Sequence, residues 1–128
     1  MACSSHYERA QLRPGYYSQC IERVIAYIEE VLGFKVERFD GSLGTSAGWA
    51  NTGRTDYERE LVSLNCSCAG CALLTLLHEA GHAKHFRLLG DDSSQPPRAE
   101  RERMAEKLGR ELSDELGFEL DEEWAQWE

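Results

Sequence analysis

The 128-residue sequence predicts an α+β fold, with helices packed on a short, mostly antiparallel sheet. Three observations carry this expectation. Apolar residues recur at helical spacing over 16–32, 71–89 and 98–116. Short stretches that alternate apolar and polar residues lie between the first two of these. Gly, Pro and Asp residues punctuate the boundaries, with no internal repeat and no composition shift that would mark a second domain. Residues 1–128 are therefore read as one domain.

Each element has a local reason. Residues 1–14 are polar and mixed, a lead-in that ends at Pro14-Gly15. From Tyr16 to Leu32 the residues Ile21, Val24, Ile25, Ile28, Val31 and Leu32 form one apolar helix face, and Gly33 is a natural stop. Phe34–Phe39 alternates as a strand does, and Asp40-Gly41 marks a turn. Ser46–Asn51, around Trp49, is a candidate second strand followed by a turn at Asn51-Thr52-Gly53. Glu60–Asn65 is a further strand, read as the sheet edge that pairs with an extended substrate. A Cys/Ser/Gly loop then leads into the helix from Cys71 to about Leu89, whose first turns are apolar nearly all round. Gly90–Pro97 is a loop, and Arg98–Leu116 a charged helix with Met104, Ala105, Leu108, Leu112 and Leu116 on one face. After Gly117 an acidic tail carries Trp124 and Trp127, read as a helix whose rings cover the core.

Composition narrows the function classes. A net charge of −9 without a Lys/Arg block argues against nucleic acid as the partner. No apolar run approaches the roughly 20 residues that cross a bilayer, and the N-terminus lacks a signal-peptide pattern, so no membrane partner and a cytoplasmic location are expected. Five cysteines, an odd number, argue for thiols rather than a disulfide framework.

The sharpest motif is His78-Glu79-Ala80-Gly81-His82, an H-E-x-x-H inside the run Leu73, Leu74, Leu76, Leu77. Positions i and i+4 share a helix face, so both imidazoles can address one Zn²⁺, with Glu79 placed to activate a water on the metal. Two satisfied core histidines are the plainer reading, but two unpaired imidazoles are costly to bury. The motif therefore predicts a zinc metallopeptidase with His78 and His82 as ligands and Glu79 as the catalytic base. The longer H-E-x-x-H-x-x-G-x-x-H pattern fails, because His85 and Leu88 stand at its Gly and last His positions. A Glu of the following helix is the remaining common third ligand. Glu100 and Glu102 flank the face centred on Leu108 and Leu112 on opposite sides, so periodicity leaves both open, with Glu106 further away. His85 and, more weakly, Tyr57 are candidate oxyanion partners.

The strand Leu61–Asn65, the segment Leu73–Ala83 and the segment Glu100–Leu108 together resemble the ImmA/IrrE-type metallopeptidases, small thermolysin-like gluzincins. That family pairs a strand ending in Asn with an H-E-x-G-H-A helix and a later E-A-N-x-F-A-x-x-L helix. The resemblance covers residues 46–110. It implies a gluzincin-type zincin domain with Glu100 as the third zinc ligand, Met104 at the usual Phe, and Ala105 and Leu108 in register. Arg101 and Glu102 stand where Ala and Asn are usual. It also implies hydrolysis of a peptide bond in a specific protein, often a repressor of a phage or mobile element.

Cys66, Cys68 and Cys71 form C-x-C-x-x-C just before the motif helix. Small residues in a tight loop are the plain reading; a second metal site or a redox cluster are the alternatives. The competing function is a non-catalytic, metal-containing protein-binding domain of anti-repressor or inhibitor type.

Overall fold

The computed structural model describes residues 15–39, 53–66, 69–90 and 95–127. Helix α1 spans Tyr16–Tyr27 and runs into a π-helical turn at Ile28–Leu32. Strands β1 (Lys35–Phe39), β2 (Gly53–Asp56) and β3 (Leu61–Asn65) follow, then α2 (Ala69–Leu89), α3 (Arg98–Glu115) and α4 (Asp121–Trp127). This is the α+β class that the alternation of periods predicts.

Helix α2 is the centre of the molecule. Leu73, Leu74, Leu76 and Leu77 are all fully buried, because α1, α3 and the sheet each cover one side of it. Each such side chain contributes roughly 1.5–3 kcal/mol of burial energy. The apolar face of α1 meets it through Ile21, Val24 and Ile28. At Ile28–Leu32 the wider π turn rotates Val31 to 64% exposure while Leu32 stays buried, so one member of the expected face leaves it. Gly33 ends the turn in the left-handed region at φ 73°, as its position predicts.

The sheet corrects two expectations. Its order is β1-β3-β2, with β1 parallel and β2 antiparallel to β3. It is mixed rather than mostly antiparallel, because the chain between β1 and β3 includes β2 and returns to pair β3 beside β1 in the same direction. The strand Leu61–Asn65 is central, not an edge: Val62 and Leu64 are buried and both of its flanks are paired. Among the described residues the neighbouring edge is β2. The expected strand at Ser46–Asn51 lies outside the described residues, and Gly53, read as part of a turn, starts β2.

Beyond α3 the chain turns at Gly117 (φ 77°) and closes over the core. Phe118, Leu120 and Trp124 are buried, Tyr17 Oη donates to Glu123 Oε2 at 2.8 Å, and the Arg110 guanidinium lies 4.9 Å from the Trp124 ring centre. Trp124 thus covers the core as its sequence context suggests. Among the described residues no helix is long and apolar enough to cross a membrane.

Candidate metal centre

Close helix packing builds the site. Gly81 of α2 faces Ala105 of α3, and Gly109 of α3 faces the Leu77 carbonyl, with no room for a Cβ at either glycine. The two helix backbones therefore touch, and a carboxylate on α3 can reach the imidazoles of α2.

His78 and His82 project from one face of α2, their ring centres 4.8 Å apart and nearly perpendicular. Both Nε2 atoms meet the same carboxylate: His78 Nε2 lies 2.7 Å from Glu102 Oε2, and His82 Nε2 lies 3.4 Å from Glu102 Oε1. One ligand atom from each of the three residues falls within 4.8 Å of the others, so the cluster can hold a metal ion. Burial, helped by the adjacent His78, pushes the His82 pKa down to about 4 and keeps that ring neutral, the form that ligates. Burial works to raise the Glu102 pKa, but the His82 and His78 rings outweigh it and hold the carboxyl below the usual carboxylate range.

The remaining ring nitrogens also face named groups. His78 Nδ1 and Glu106 Oε1 are both shielded from solvent, lack a hydrogen-bond partner and stand 3.6 Å apart. A small approach would give the carboxylate support that ligand histidines usually have. His82 Nδ1 lies 3.4 Å from the Tyr57 hydroxyl.

Glu79 stands beside this cluster, against the edge strand. The Thr55 hydroxyl donates to Glu79 Oε1 at 2.8 Å. Gly53 makes the approach possible, since a Cβ there would fall 2.6 Å from Thr75 Cγ2 and 3.0 Å from Glu79 Cγ. Burial raises the Glu79 pKa and the Thr55 hydrogen bond opposes that rise. A buried carboxyl with a raised pKa, one oxygen fixed and a cleft in front of it, is suited to take up and return a proton. The cleft encloses about 610 Å³ between β2, α2 and the start of α3.

The structure brings together His78, Glu79 and His82 but selects Glu102 rather than Glu100 as their partner. Glu100 is exposed on α3 and does not border the cleft. The reason lies in the helix face. Ala105 and Gly109 mark the contact line with α2; at about 100° per residue Glu102 falls roughly 20° from Gly109, and Glu100 about 180° from it. The two small residues four apart were the signal that the larger Leu108 and Leu112 obscured. His85 is buried and does not border the cleft, whereas Tyr57 does. Cys66 is half-buried and Cys71 buried, Cys68 lies outside the described residues, and no cysteine joins a metal-holding group among the described residues. Thr55, Arg98 and Arg101, which also border the cleft, carry no motif in the sequence.

Comparison with known protein families, with curated proteins and with solved structures finds no match to this chain.

Proposed function

We propose that this chain is a zinc-dependent metallopeptidase of the gluzincin type, similar to the ImmA/IrrE-type enzymes in its H-E-x-G-H-A helix. One observation carries the reading: two imidazole Nε2 atoms and one carboxylate converge next to a second, buried carboxyl held by Thr55. Two imidazole nitrogens and one carboxylate form the His₂Glu donor set of catalytic zinc. His78, His82 and Glu102 would hold the ion. When bound, Zn²⁺ supplies Lewis acidity to the scissile carbonyl and to the attacking water.

The protein's own groups supply the rest. Glu79 takes the proton of the attacking water and returns it to the departing amine, with Thr55 fixing the other carboxylate oxygen. Tyr57 orients the His82 imidazole through Nδ1, and Glu106, 3.6 Å from His78 Nδ1, would do the same for His78 after a small approach. Strand β2 borders the cleft and offers an extended peptide a backbone to pair with, the role that β3 cannot take. The substrate would be a protein segment that reaches the cleft unfolded.

The test is metal content and peptide cleavage of the wild type against Glu79→Gln and His82→Ala. The reading expects zinc in the wild type and in Glu79→Gln, none in His82→Ala, and cleavage by the wild type alone. Zinc-loaded wild type that cleaves no peptide or protein, with Glu79→Gln indistinguishable from it in binding partners, favours the non-catalytic binding domain instead.

A further inference from the structure

The chain is strongly acidic, with a net charge of −9, yet the cleft is bordered by three arginines: Arg54 from β2 and Arg98 and Arg101 from the first turn of α3. Arg98 and Arg101 are three residues apart and so share a helix face. Neither side chain forms an ion pair or hydrogen bond among the described residues, although Glu79 and Glu102 border the same cleft. They are therefore not there to neutralise these two carboxylates. Arg101 is half-buried, and its Nε is shielded from solvent without a hydrogen-bond partner. Such a buried donor is costly until something accepts from it. A guanidinium presents paired donors that match a carboxylate in two-point fashion.

We propose that Arg98 and Arg101 select peptides that place a carboxylate beside the scissile bond, either an Asp or Glu side chain or a free C-terminus. The proposal rests on the peptidase reading and names the substrate class of that same cleft. Within a strongly acidic chain, the guanidiniums at the cleft draw the carboxylate inward and fix the register of the peptide. Arg101 accommodates it at the shielded Nε, and Arg98, exposed at the cleft mouth, adds a second cation.

The test uses zinc-loaded Glu79→Gln protein, in which turnover is strongly slowed, and a short random-sequence peptide library made once with free C-termini and once with C-terminal amides. Bound peptides should be enriched about tenfold in Asp or Glu at one position, or in the free acid over the amide, the size expected for one charge-assisted pair. The two libraries separate the side-chain source from the C-terminal one. Arg98→Gln with Arg101→Gln should abolish the enrichment at unchanged zinc content. If that pair does not fold, Arg101→Lys keeps the charge, loses the two-point geometry and should reduce the enrichment. No acid enrichment, or enrichment that survives the arginine substitutions, overturns the proposal. Cleavage of the same library by the wild type is scored separately. Acid-selective binding without cleavage removes the peptidase reading alone, and cleavage without acid preference removes this proposal alone.

Discussion

Gly81 and Ala105 hold two helix backbones in direct contact: a Cβ built on Gly81 would lie 2.0 Å from the Ala105 carbonyl oxygen. Gly81 immediately precedes His82, and Ala105 follows Glu102 by three residues. The contact thus sets the distance between imidazole and carboxylate. Gly81→Ala is expected to force α2 and α3 apart. Overpacking against backbone rather than the end of a flexible side chain should cost about 1–3 kcal/mol. Urea denaturation and zinc retention measure both consequences, and an unchanged unfolding midpoint with full zinc would contradict the packing account.

The choice between Glu102 and Glu100 is equally direct. Glu102→Gln should lose zinc from a site that Glu100→Gln leaves intact, because Glu100 is exposed away from the cleft. Glu106→Gln should weaken zinc binding by about 10–100-fold, the usual effect of removing a group that supports a ligand histidine. Competition with a chelator ranks the three variants. Loss of zinc from Glu100→Gln alone would reverse the assignment.

In the proposed mechanism Thr55 acts on Glu79 rather than on the metal. Its hydrogen bond lowers the Glu79 pKa against the larger effect of burial. Thr55→Val should therefore move that pKa further up. A base works when ionised, so the acid limb of the kcat/KM profile shifts to higher pH, with zinc content unchanged. Glu79→Gln should reduce turnover by about 10²–10⁴-fold at full zinc occupancy. A Thr55→Val profile superimposable on the wild type would show that the hydrogen bond does not tune the base.

In the metal-free protein His82 makes stability fall with acid. Its pKa is held near 4 in the fold, against 6.5 in the unfolded chain. Between those values the unfolded chain binds a proton that the fold refuses, so stability is complete above pH 6.5 and declines as pH falls towards 4. The raised Glu79 pKa acts in the opposite direction, so the quantity to compare is wild type minus His82→Ala across that window. The difference should change by on the order of 3 kcal/mol. Parallel stability curves for the two proteins would remove His82 as the cause.

By itself the sequence determined the parts whose cause is local. The helix periods, the stops at Gly33 and Gly117, the strand Leu61–Asn65 and the shared face of His78 and His82 follow from spacing along one segment, and the structure contains each of them. Tertiary structure decided whatever needed two segments at once. Strand direction was one such feature, because β1 and β3 pair across 21 intervening residues and alternation is blind to parallel or antiparallel pairing. The partner carboxylate was another: Glu100 and Glu102 are equivalent until the Gly81–Ala105 and Leu77–Gly109 contacts choose a face of α3. Thr55, Tyr57 and Arg101 likewise gain their places only when β2 and α3 close over α2. A side chain's direction along its own helix is local, but what it meets depends on how closely backbones can approach, and here small residues rather than large ones control that approach.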